Sequence, residues 1–185
     1  MARKFDISRE LDIDMTVPVN MSDYLKADNI QQAQETIAKA IESELNKQSD
    51  FEVTVEVKHD GFSDARGEAI TEEDAKADLE EYFADITVTV SGTQNGTYEE
   101  GVPSYNYYEP DDPPELSTYD DADTITEISE KIEKVFKEFG FEIESSNIET
   151  KDNSRSWDSV IEDLYIEDLY EEPEPEYEPD YDYND

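Results

Sequence analysis

From Ala77 to Glu130 the chain carries fifteen carboxylates and no Lys or Arg; from Ser156 to Asp185 it carries thirteen more, again without a base. Like charges crowded together repel and cost stability, so the folded core must be assembled around these stretches. The formal net charge of −38 over 185 residues is concentrated in them. The natural partner of so dense a polyanion is a protein surface built to grip nucleic acid.

Apolar residues make up 35 % of the chain, below the roughly 45–50 % of globular proteins. They cluster in periodic segments, where a small core is expected. With no cysteine there is neither a disulfide framework nor a thiolate metal site. No apolar run approaches the roughly 18 residues of a membrane span, and Met1-Ala2-Arg3-Lys4-Phe5-Asp6 lacks the apolar region of a secretory signal. A soluble cytoplasmic protein is expected. Its charge opposes binding to bare DNA, RNA or anionic lipid, which are themselves anions. Salt adaptation would spread acidity over every surface, and the uneven distribution and Lys-bearing helices argue against it.

Phe5, Ile7, Leu11, Ile13, Met15, Val17 and Val19 alternate, which predicts a long strand whose apolar face Arg9 interrupts and in which Pro18 marks the end or an edge position. Ile30, Ala33, Ile37, Ile41 and Leu45 recur at helical spacing behind Asp28 or Asn29 as N-cap. Phe51, Val53, Val55 and Val57 alternate with Glu52, Thr54, Glu56 and Lys58 in the clearest strand. Thr71-Glu72-Glu73-Asp74 opens a helix predicted to run through Ala75, Leu79 and Phe83. Ile86, Val88 and Val90 give a third strand, and residues 92–123 read as a long connection rich in Gly, Pro, Tyr and acid. Thr124 and Glu127 form a capping box ahead of Ile125, Ile128, Ile132, Val135, Phe136 and Phe139, and Gly140 stands where a helix C-terminal glycine belongs. Phe141, Ile143 and Ile148 supply a fourth strand.

The order strand–helix–strand, insertion, strand–helix–strand predicts an α+β fold, a ferredoxin-like βαββαβ sandwich with a helical insertion. The core domain is expected over 1–150, followed by an acidic C-terminal helix and tail over 151–185. Alternation sends Glu10, Asp12 and Asp14 to the open sheet face. In the expected strand order Glu142 and Glu144 of the fourth strand join them. An RNA-binding sheet would show aromatic and basic residues there, so this face is not an RNA reader.

Enzymatic chemistry finds little support. His59 is the sole histidine, at a strand exit beside Asp60 and Gly61, with no nucleophile-elbow pattern near it. Six glycines form no phosphate-binding or dinucleotide fingerprint. Asp120-Asp121-Ala122-Asp123 resembles part of a calcium loop, but the glycine at loop position six is missing and the capping box turns the segment into a helix start. No catalytic residue, metal site or cofactor is expected.

The acidic stretches supply the candidate binding residues. In the connection these are Glu99, Glu100, Tyr107, Tyr108, Glu109, Asp111, Asp112, Glu115, Asp120 and Asp121. Pro103, Pro110, Pro113 and Pro114 keep the segment extended and limit the entropy lost on docking, and tyrosines can stack on guanidinium planes. The C-terminal stretch opens with a helical stripe of Trp157, Val160, Ile161 and Leu164, able to dock on the core. It contributes Glu162, Asp163, Glu167, Asp168, Glu171, Glu172, Glu174 and Glu176 from a tandem pentapeptide and the tail beyond. In an extended polyproline-like chain at about 3.1 Å per residue, alternate carboxylates recur every ~6 Å, about half the charge density of one DNA strand. A plain solubilising tail is the simpler alternative.

Carboxylate runs with interleaved aromatics, on a compact fold without catalytic machinery, make the chain similar to the bacteriophage-type DNA-mimic inhibitors of CRISPR and restriction nucleases. The similarity covers composition and layout; those proteins share no motif, so no residue role is transferred. It implies a monomer or small oligomer that acts in the host bacterial cytoplasm. Its partner would be a basic DNA-binding protein, a CRISPR-Cas effector or restriction nuclease, kept from target DNA by competition. The alternatives are an acidic chaperone of a histone-like protein and a virion or assembly component.

Overall fold

The computed structural model describes residues 4–26, 30–48, 50–99 and 121–164. Among them, five antiparallel strands form one curled sheet in the order β3-β2-β4-β1-β5, covered on one face by helices. Strand β1 (Lys4–Asn20) runs into helix α1 (Met21–Lys26) and then α2 (Ile30–Asn46); β2 (Phe51–Ser63) and the short β3 (Ala69–Ile70) follow. Next come α3 (Glu72–Ala77), β4 (Phe83–Glu99), α4 (Asp121–Glu138), β5 (Glu149–Asp152) and α5 (Trp157–Leu164). No helix among the described residues is long and apolar enough to cross a membrane.

The period-two and helical patterns meet in the main core. Leu11, Ile13, Met15, Val17 and Val19 of β1 join Val88 and Val90 of β4 beneath Ile37, Ile41 and Leu45 of α2 and Ile128, Ile132, Val135 and Phe136 of α4. Two satellite clusters close the ends. Met21, Ala75 and Ala84 lie at one, and Ile7, Tyr98, Trp157 and Ile161 at the other.

Strand edges are handled locally. Among the described residues the outer side of β2 has no neighbouring strand over Val53–Val55; there Asn46 accepts from Val53 N–H and donates to its carbonyl, both at 2.9 Å, and Glu42 accepts from Val55 N–H at 3.1 Å. Helix α2 thus blocks pairing by another chain. As expected, Gly140 caps the C-terminal end of α4 just past Glu138, and its φ of 90° suits glycine. Phe141 N–H reaches the Phe136 carbonyl and Gly140 N–H the Lys137 carbonyl, both at 3.0 Å, which completes a Schellman motif.

Four expectations are corrected. Strand β4 continues to Glu99, so residues 92–99 are ladder and not connection; their core-facing positions carry Gly92, Gln94 and Gly96 before Tyr98, so no apolar alternation marks them until the strand's end. Helix α3 stops at Ala77 and Phe83 opens β4. Helix α4 starts at Asp121, which places Thr124 inside the first turn and replaces the capping box. The fourth strand is Glu149–Asp152: Phe141 and Ile143 are buried against the core but form no ladder, because alternation records burial and not hydrogen bonding. Glu142 and Glu144 therefore do not stand beside β1; Lys151 and Glu149 do, opposite Asp14 and Thr16.

Candidate functional site

The face turned away from α2 and α4 carries two rows of carboxylates. Alternation along β1 puts Asp6, Glu10, Asp12 and Asp14 on it, and β2 adds Glu52, Glu56 and Asp60. Between them β4 presents Thr87, Thr89, Ser91, Thr93, Asn95 and Thr97, a neutral polar spine in direct register with both rows. Strands ~4.8 Å apart and a ~3.4 Å rise put the rows about 10 Å apart, with carboxylates about 7 Å apart over Glu10, Asp12 and Asp14 and about 14 Å apart over Glu52, Glu56 and Asp60, where Thr54 and Lys58 intervene. Asp85 and Glu149 extend the anionic face at one end, and Lys58 and Lys151 are cations on it. Lys58 pairs with Glu56 at 3.0 Å.

The spine holds its neighbours. Thr89 Oγ1 donates to Asp14 Oδ1 at 2.7 Å, Thr87 Oγ1 donates to Asp60, and Ser63 Oγ donates to Asp85 Oδ1 at 2.8 Å. A hydroxyl bond to a carboxylate favours the charged form and fixes its rotamer. At Asp85 burial outweighs that bond and pushes the carboxyl above its ordinary range; nearby Glu149 adds to the push.

The helix-covered side ends in a polar junction. Arg9, 2 % exposed, donates from Nε to Gln94 Oε1 at 2.8 Å and from Nη1 to the Arg155 carbonyl at 3.3 Å. Its guanidinium lies 5.1 Å from the Trp157 ring centroid, within cation–π range. The Gln94 amide donates to Thr124 Oγ1 at 3.3 Å. Beyond β5 the chain stays beside β1, with Asn153 N–H bonded to the Asp12 carbonyl and Arg155 N–H to that of Glu10. The end of β4, the start of α4 and the start of α5 are thereby fastened to one buried cation, at the points where the acidic connection and the C-terminal stretch begin or end.

Of the binding residues expected from sequence, Glu100, Tyr107, Tyr108, Glu109, Asp111, Asp112, Glu115, Asp120, Glu167, Asp168, Glu171, Glu172, Glu174 and Glu176 lie outside the described residues. Glu99 closes β4 and Asp121 opens α4. Glu162 and Asp163 are exposed on α5, and Asp163 is ion-paired with Arg155, so part of its charge is answered within the chain. Asp6, Glu10, Asp12, Asp14, Glu52, Glu56, Asp60, Asp85 and Glu149 are not in that set; alternation along β1 and β2 signals Asp6, Glu10, Asp12, Asp14, Glu52 and Glu56, while Asp60, Asp85 and Glu149 are placed by the strand register.

His59 sits 5.0 Å from Tyr24 and 4.7 Å from Phe62, ring to ring, and its Nε2–H donates to the Gly61 carbonyl at 2.9 Å. It packs a bulge in β2 at the Gly61 position. Among the described residues no group of three or more His, Asp or Glu side chains is arranged to hold a metal ion. No protein-family model, curated protein or solved structure matches the chain.

Proposed function

We propose that this protein is a DNA-mimic inhibitor. It occupies the basic DNA-binding groove of a bacterial defence nuclease, a CRISPR-Cas effector or restriction enzyme, and excludes target DNA by competition. The observation that carries this reading is the pair of carboxylate rows flanking a hydroxyl spine. A spacing of about 10 Å lies between the ~6 Å minor and ~12 Å major groove widths of B-DNA. Carboxylates already fixed by hydroxyl bonds lose little freedom when they meet Lys and Arg, and each contact is a charge-assisted hydrogen bond. Opposite fields speed the encounter.

The same proposal takes the fold to be ferredoxin-like. The order β5-β1-β4-β2, antiparallel throughout, supports it, with α2 linking β1 to β2 and α4 linking β4 to β5; β3 and α3 are then the insertion. The protein acts without catalysis, as a monomer or small oligomer in the bacterial cytoplasm.

The test is competition. Full-length protein is titrated against a purified effector or restriction nuclease bound to labelled duplex, at about 50 and 200 mM salt. Stoichiometric release of the duplex, weakening steeply with salt, is the expected result. Duplex that stays bound across several such nucleases at low salt overturns the proposal.

A further inference from the structure

The sheet curls so strongly that its two edges approach on the open face. A Cβ on Gly67, in the turn after β2, would stand 3.9 Å from Glu149 Oε1 on β5. Beneath this bridge is a crevice of about 310 Å³, with Phe83 and Asp85 from β4, Pro18 from β1, and Ser63 and Arg66 from the β2 side. That volume is at the bottom of the ~300–1,000 Å³ range of ligand sites, so it suits a single side chain better than a larger ligand.

We propose that this crevice is a receptor for one arginine side chain of the basic partner, its guanidinium held between Asp85 and Glu149. Charge sets the sign of the ligand: among the described residues, Asp64, Asp85 and Glu149 line the space with one cation, Arg66. Ser63, 5 % exposed, bonds one oxygen of Asp85 and leaves the other to accept. Burial disfavours the Asp85 anion, and an entering cation relieves that penalty. A planar fork reaches two carboxylates at once, which a point-like ammonium does not match, and Phe83 adds an aromatic wall to the crevice. The inference rests on the proposal that the partner is a basic protein, but its test does not.

The full chain, labelled with ¹⁵N, is titrated with N-acetyl-arginine amide and, separately, with the uncharged citrulline analogue. Saturable shifts centred on Phe83 and Asp85 are expected for arginine alone. Asp85→Asn should weaken the arginine Kd on the order of tenfold or more, the scale of one charged hydrogen bond. Arg66→Ala should tighten it by removing the competing cation, and Glu138→Gln, on the far side of the fold, should leave it unchanged. Shifts spread evenly over the carboxylate rows, or a Kd indifferent to Asp85→Asn, overturn the crevice. No nuclease enters this titration, so a negative result counts against the crevice only, whereas failure to displace duplex counts against the inhibitor proposal.

Discussion

Arg9 stands directly opposite Gln94 in the β1–β4 ladder and donates to it at 2.8 Å. Each residue alone breaks the apolar pattern of its strand; paired, they satisfy one another in the interior. A buried cation held this way is retained by its partners, and removing one partner leaves the others short of a bond.

Arg9→Met should therefore cost about 1–3 kcal/mol, the scale for leaving buried acceptors without a donor. The Arg155 carbonyl and the Gln94 amide both lose their donor. Arg9→Met combined with Gln94→Leu should recover part of the loss, because an apolar pair leaves fewer orphaned groups. Urea unfolding of both variants measures this; a double mutant no better than the single one contradicts it.

Gly92→Ala should also destabilise severely. Its Cβ would lie 2.2 Å from the Glu52 carbonyl oxygen and 2.7 Å from Val53 Cα, and backbone atoms of a central ladder cannot move aside. Overpacking typically costs about 1–3 kcal/mol, and displacement of β2 from β4 puts this site at the upper end. Denaturant midpoints would register it, while an unchanged midpoint would show that the strands can separate freely.

The response to pH follows from Asp85 and Glu44. Burial holds Asp85 above its ordinary 3.8, so the native state binds more protons than the unfolded chain in that window. Its favourable contribution is full at low pH and is lost as pH rises through the raised value. Hydrogen bonding to Lys47, first among several causes, holds Glu44 below its ordinary 4.5, so its contribution is present above that value and lost as pH falls. Asp85→Asn should flatten the decline in stability on the alkaline side of pH ~4, and Glu44→Gln should flatten the decline on the acid side. Unfolding free energies from pH 3 to 7 give both slopes, on this roughly four-unit scale.

Neutralising one row tests the anionic face. Glu10→Gln, Asp12→Asn and Asp14→Asn together should weaken nuclease competition at low salt and reduce the steepness of its salt dependence by up to about three contacts. Glu10 and Asp12 are exposed, which keeps their effect on stability within about 0.5 kcal/mol per site, whereas half-buried Asp14 accepts from Thr89 and should cost about 1 kcal/mol. A triple variant that competes as well as the parent, with an unchanged salt slope, would move the binding surface elsewhere.

Much of the main core could be read from periodicity. The apolar alternation of β1 and of β2 over Phe51–Val57, and the three-four spacing of α2 and α4, each predict the side chains that meet in the interior. What escaped was structure held by polar groups. The second half of β4 turns Gly92, Gln94 and Gly96 to the core side, and β5 is Glu-Thr-Lys-Asp with all four exposed. Neither segment buries an apolar row, so neither leaves a period. A third of the anionic face was read from sequence, because Glu10, Asp12 and Asp14 alternate with apolar neighbours on one strand. Asp60, Asp85 and Glu149 needed the register between strands, which sets Asp60 and Asp85 beside their hydroxyl donors.

The junction at Arg9 also has a kinetic meaning. Segments fastened to one point open together, so backbone amides at Tyr98, Thr124 and Ile161 belong to one cooperative unit and should exchange with solvent hydrogen through a shared opening event. That end of the sheet would then melt as a block, separately from the larger interior under α2 and α4.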